Sequence, residues 1–160
     1  VGAAFPYMSA NLDFSGDSAL KPRFTNTLDG AGNPTATDVA EASTLKGRIA
    51  PATVIEKGGE KIGLVAATTQ ILEAISSPSG TEVKGFPTGS GANGEVDDMD
   101  LLAAQLQPII DELIAEGINK IILMAHLQQI GNEQLLASKL RGVDIILAAG
   151  SNTRLGDDDD

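Results

Sequence analysis

Cysteine and tryptophan are absent from the 160 residues, and there is one histidine and one tyrosine. Without cysteine there can be no disulfide, thiolate metal site or cysteine nucleophile, an absence that suits either a reducing cytosol or a secreted protein that avoids thiols. Aromatic residues make up 3% of the chain, so few faces exist on which bases could stack. Basic residues are scarce as well: 11 Lys and Arg against 22 Asp and Glu leave a formal charge of −11. That charge repels phosphate backbones and anionic membrane surfaces, which excludes a nucleic acid polymer as the expected partner. No apolar run approaches the ~20 residues of a membrane helix, so no membrane span is expected. Val1 is preceded by neither an initiator Met nor a signal peptide, and the expectation is an internal segment of a longer protein.

The apolar share is 42%, enough for a real core in one domain of this length. Two runs, Ile121 to Ala125 and Val143 to Ala149, are nearly continuously apolar, the pattern of strands covered on both faces in a parallel sheet. Between them, Gly131 to Arg141 has a helical spacing of leucines, with Asn132 as the expected N-cap and Gly142 as the stop. Asp97 to Glu116 places Leu102, Leu106, Ile109, Ile110, Leu113 and Ile114 on one helical face, and Pro108 within it predicts a kink or a break. Ala52 to Lys57 and Glu60 to Thr68 flank Gly58-Gly59 and predict a hairpin. Ala3 to Phe14 alternates apolar residues with Ser9, Asn11 and Asp13 and predicts a strand with one polar face. Gln70 to Ile75 predicts a short helix, and Thr68-Thr69 before it is a polar loop at a strand's end, better read as its N-cap than as a site. Helices alternating with buried strands across short loops define the fold class as α/β. Residues 15–51 carry no persistent period and are expected to form a surface insertion with a short helix near 38–43, while Asp157 to Asp160 forms an acidic tail.

In open α/β sheets ligands sit beyond the carboxyl ends of the strands. His126 follows the first buried strand directly, and Gly150-Ser151-Asn152-Thr153-Arg154 follows the second, so both loops are expected to face one pocket. For His126 a functional role and a plain hydrogen-bonded imidazole are both open. Other patterns favour bland readings. Gly89 to Gly94 has the letters of a dinucleotide loop without the strand that should precede it. Asp29 to Asp38 lacks the alternating acids of a calcium loop. A Ser151–His126–Asp144 triad ranks low, because Asp144 lies within a strand and no nucleophile elbow is present.

Several stretches, in this order and spacing, resemble one family. They are FPYMSANLDF at Phe5 to Phe14, the hairpin EKGGEKIGLVAATT, LEAISSP at Leu72 to Pro78, and Gly117 to Leu155. The family is the 5′-nucleotidase-like metallophosphoesterases, with the related atypical alkaline phosphatases. The resemblance implies a segment of an α/β/β/α sandwich, here mainly one sheet with flanking helices and a hairpin, spanning 1–160 as a partial catalytic domain. It also implies a centre of two divalent metal ions, hydrolysis of phosphomonoesters or nucleotides by metal-activated water, and a periplasmic or secreted location. The remaining motifs of that centre would lie before Val1.

Residue by residue, His126 matches the histidine ligand of the family's Ser-His-Leu-Gly stretch, with Ala125 in place of Ser. Ala149-Gly150-Ser151-Asn152-Thr153 stands where the family has Gly-His-Ser-His-Thr. Asn152 can offer a carbonyl oxygen to a metal, Gly150 offers no side chain, and Ser151 and Thr153 are candidate substrate-binding donors. Gln70 stands where the family has Pro after Thr-Thr. Three further expectations follow: the isolated segment is inactive, its exposed sheet surface supports a homodimer, and the alternative role is a non-catalytic binding or structural module.

Overall fold

The structure is a computed structural model that describes residues 2–25, 39–85, 98–151 and 153. In chain order the elements are β1 (Tyr7–Met8), β2 (Leu12–Asp13), short 3-10 turns at Lys21–Arg23 and Ala42–Thr44, β3 (Ile49–Ala50), β4 (Ala52–Lys57), β5 (Glu60–Thr68), α1 (Leu72–Ile75), β6 (Glu82–Val83), α2 (Met99–Ala115), β7 (Ile121–His126), α3 (Ile130–Lys139) and β8 (Ile145–Ala149). The segments around Gly89 to Gly94 and Asp29 to Asp38, together with Asn152, Arg154 and the Asp157 to Asp160 tail, lie outside the described residues.

The hairpin forms as its sequence requires. Gly58 and Gly59 take φ of 61° and 82°, which close the two-residue turn, and β4 pairs antiparallel with β5 from Lys57↔Glu60 to Ala52↔Val65. From β5 onward the sheet is parallel, in the order β4-β5-β7-β8. The two parallel steps move in one direction across the sheet, so right-handed crossovers put α2 and α3 on the same face.

That face is the core. Leu102, Leu106, Ile109, Ile110 and Leu113 of α2 and Leu136 of α3 are almost fully buried against Val65, Ala67, Ile121, Leu123 and Ala125. Each large side chain contributes about 1.5–3 kcal/mol by leaving water. Both ends of α2 are closed by identifiable groups. The Asp98 carboxylate accepts the amides of Asp100 and Leu101, and Gly117, at φ 84°, lets its own amide reach Ile114 O and that of Ile118 reach Leu113 O.

Among the described residues no α-helix packs on the opposite face of the sheet. Ile55, Ile145 and Leu147 remain 38%, 50% and 54% exposed on it, and Ile62, Leu64, Ile122 and Met124 are half-buried.

Two local expectations are corrected, and of the kink or break expected at Pro108 the break is absent. The helix at Pro108 does not break: α2 runs unbroken through it, because Pro108 and Ala104, whose carbonyl loses its amide partner, both lie on the solvent side where water can satisfy the oxygen. Asn132 is not the N-cap of α3. The cap position is Gln129, and Asn132 lies in the first turn with its Nδ2 donating back to Leu127 O at 3.1 Å. Ala3 to Phe14 is two short strands rather than one, since β1 pairs in parallel with β3 while β2 pairs antiparallel with β6. The chain changes partner at Asn11, whose side chain replaces a strand neighbour for Thr68.

Candidate functional site

The parallel register sets the site. Thr68, His126 and Ala149 are aligned at the carboxyl ends of β5, β7 and β8. Side chains alternate along a strand, and this alignment turns His126 to the helix-free face, where it is exposed. Among the described residues the imidazole has no hydrogen-bonding partner. Beside it lies a cavity of about 590 Å³ walled by Tyr7, Ala66, Thr68, Met124, His126 and Leu147, so an apolar floor leads to a polar end.

The loop after His126 is held from behind. Glu133, buried in the first turn of α3, accepts the Leu127 amide at 3.0 Å, and Asn132 donates to the carbonyl of the same residue. Both polar groups of Leu127 are therefore satisfied by α3. Gln128 follows with φ 71°, the one described non-glycine residue in the left-handed region. The second carboxylate oxygen of Glu133 is buried, with no partner among the described residues.

Thr68 is anchored from the other side. Asn11, fully buried, donates Nδ2 to Thr68 O at 2.8 Å and accepts the Thr68 amide at 2.8 Å. The Ser9 hydroxyl is 2.8 Å from that of Thr68 and also donates to Asn11 Oδ1 at 3.3 Å. Gln70, equally buried, donates Nε2 to Gly85 O and Asp98 O and so ties the turn after β5 to the start of α2. Thr69 Oγ1 accepts the Ile71 amide at 3.4 Å, while α1 itself has no side-chain cap.

Two buried aspartates follow Asn11 in the chain. Burial pushes Asp13 upward, but the Ser15 amide and hydroxyl and the Lys84 ammonium, 3.1 Å away, outweigh it and hold the carboxyl below its ordinary value. Asp17 is also held low, first by the Leu20 amide, against burial, and then by the Ala19 amide and the Thr81 hydroxyl.

On the β8 side, Gly150 takes φ 89° and packs directly on the His126 ring. The two loops predicted to face one pocket therefore adjoin. Ser151 is half-buried and Thr153 exposed. Asp144 is at the other end of the sheet, where its amide donates to Ile121 O and its carboxylate accepts the Ile121 amide at 2.7 Å. Five residues of strand at about 3.3 Å each put it ~16 Å from His126, too far for a triad.

Sequence reasoning did not single out Asn11, Ser9 and Glu133 for these roles. A buried Glu six residues after a strand-terminal His, and an Asn between two short apolar pairs, are signals that could have raised them.

Chemically, these residues offer one imidazole nitrogen, hydroxyls and backbone groups. Among the described residues no group of three or more His, Asp or Glu side chains could hold a metal ion. The donor set thus fits a single ligand position and does not fit a two-metal centre on its own.

A mixed, mainly parallel sheet with helices on one face and polar loops at its carboxyl edge defines the chain as a layered α/β fold. A 5′-nucleotidase from Diplobatis ommata is 29% identical over 155 residues, 97% of this chain and 20% of that protein. A 5′-nucleotidase from Mus musculus is 32% identical over 114 residues, covering 71% of this chain and 17% of its own length. Among solved structures, a 5′-nucleotidase precursor from Thermus thermophilus superposes with a TM-score of 0.58 at 26% identity, over 89% of this chain and 20% of that one. No protein-family model matches the chain. Sequence and fold identify it as a 5′-nucleotidase-like metallophosphoesterase segment. It spans about a fifth of the length of the curated relatives it matches.

Proposed function

We propose that the chain is part of a metal-dependent phosphate-ester hydrolase of the 5′-nucleotidase or alkaline phosphatase type, to which it contributes His126 as one metal ligand. The observation that carries this reading is the exposed imidazole at the carboxyl end of β7, without a hydrogen-bonding partner among the described residues, beside a cavity and held by a loop clamped from α3. A core histidine would be buried and hydrogen-bonded; this one is exposed and, among the described residues, has no hydrogen-bonding partner. Divalent ions, two in the whole centre, would supply an activated water for attack on a phosphomonoester or nucleotide. Asn152 and the Ser151 and Thr153 hydroxyls are weaker candidates for metal and substrate contacts. The parent protein is proposed to act in the periplasm or outside the cell.

One imidazole with neutral loop residues holds catalytic ions poorly, so the 160 residues alone are expected to be inactive. The test is calorimetric titration with Zn²⁺ and Mn²⁺, together with a phosphomonoester hydrolysis assay. Weak binding that disappears in His126→Ala, without turnover, is the expected result. Metal-dependent turnover by the chain, or metal affinity indifferent to His126→Ala, overturns the proposal.

The apolar, helix-free sheet face supports two further readings. By resemblance it is where the second sheet of the sandwich packs, and in the isolated chain it serves as the surface of a homodimer. A non-catalytic binding module is the second functional reading, favoured by Gly150 standing where the family carries a histidine.

A further inference from the structure

Gly150 is more than a missing ligand. Its φ of 89° is a backbone state that L side chains rarely adopt, and the space a Cβ would fill is already taken. A Cβ built there would lie 2.6 Å from both Cδ2 and Nε2 of His126 and 3.1 Å from the Gln128 amide nitrogen. Carbon atoms in contact settle at about 3.5–4.0 Å, so a side chain at position 150 and the ring edge in this orientation cannot both be kept.

The backbone beneath the ring is fixed, so relief of the clash falls on the ring itself. Its backbone is fixed by the β7 ladder on one side and, through Leu127, by Glu133 and Asn132 on the other. Gln128, at φ 71°, brings its amide against the same spot. Yielding would mean distorting α3's grip on Leu127, opening the end of the β7–β8 pair, or rotating the ring away.

We infer that Gly150 is the seat of the His126 imidazole, a positioning residue that sets which edge of the ring meets the β8 loop. The Cδ2–Nε2 edge faces Gly150. A histidine at 150 and His126 in this orientation are therefore mutually exclusive, so restoring the family's residue by Gly150→His displaces the existing ring instead of adding a second nitrogen beside it. Gly150 thus makes a different construction of the site's wall, built around His126. This rests on the reading of His126 as the functional group of the site, but its test does not.

His126 is the only histidine, so its ring signals in a carbon-13 NMR spectrum need no assignment. In the unaltered chain the ring Hδ2 is expected to show a nuclear Overhauser contact with the Gly150 α-protons. Gly150→Ala is expected to abolish that geometry and move both ring signals. Gly142→Ala is the control: Gly142 has φ 79°, and a Cβ there meets the flexible Ile114 Cδ1 at 2.5 Å, far from the imidazole. It should cost comparable stability and leave the ring signals in place, which separates positioning from simple destabilisation. Absence of the contact in the unaltered chain, or ring signals in Gly150→Ala that superpose on it, overturns the inference. If the contact is present and lost as expected while His126→Ala leaves metal affinity unchanged, the seat stands and the ligand assignment fails.

Discussion

Asn11 offers a sharp test of how the edge beside His126 is held. Its amide satisfies both backbone groups of Thr68 at 2.8 Å each and is fully buried, so Asn11→Ala leaves an amide and a carbonyl without partners. Each lost bond is worth about 0.5–1.5 kcal/mol and each orphaned group about 1–3, with overlap between the two, so a loss of about 2–4 kcal/mol is expected. Asn11→Asp is more informative because it keeps the shape. One carboxylate oxygen still accepts the Thr68 amide, but the other replaces Nδ2 and faces the Thr68 carbonyl oxygen, acceptor against acceptor. A proton on that oxygen restores a donor. The introduced carboxyl should therefore have a raised pKa in the folded state, and its proton-linked stability is present below the ordinary value of about 4 and lost as pH rises through the folded pKa. Urea unfolding midpoints at pH 4 and pH 7 read this directly, each compared with the unaltered chain at the same pH. The Asn11→Asp deficit should be larger at pH 7, and Asn11→Ala should show no such change. Equal deficits at both pH values would refute the donor–acceptor reasoning.

Asp13 and Asp17 have the opposite sign. Both are held below their ordinary values, so the stability they contribute is complete above about pH 4 and is lost as pH falls below it. Asp13→Asn with Asp17→Asn should flatten the acid limb of a pH–stability curve recorded by circular dichroism, and an unchanged limb would count against these hydrogen bonds. Glu133→Ala removes the acceptor of the buried Leu127 amide and should cost about 1–3 kcal/mol, with faster hydrogen exchange at Leu127 than at the centre of β7. Glu133→Gln keeps one acceptor oxygen and should lose less. On the open sheet face, Leu147→Lys places a charge on the exposed edge strand β8 and should shift sedimentation from dimer toward monomer. A species that is monomeric before the substitution would remove the basis for that surface as an interface.

How much of this was legible beforehand depends on the range of the interaction. The hairpin, the two crossover helices and the parallel strands were readable because turn glycines, a 3.6-residue period and continuous apolar runs are local patterns, each tied to one backbone geometry. The position of His126 at a strand end followed from the same patterns. Pro108 left a kink or a break open, since nothing local tells whether a proline faces solvent, where a lost bond is cheap, or the core. Asn132 misled because its nearest candidate partner in sequence, the helix start, lost to Leu127 O.

The sequence by itself determined the class: acidic, cysteine-free α/β, a 5′-nucleotidase-like segment with a lone histidine where ligands gather. Tertiary structure alone decided the pairings between distant residues. Asn11 bridges 57 positions to Thr68, and Gln107 bridges 34 to the backbone of Arg141. Gly150 meets His126 only because β7 and β8 are register partners. A buried amide or a bare Cα has no periodicity to announce it; its partner is set by where the strands end, which exists only once the sheet is assembled.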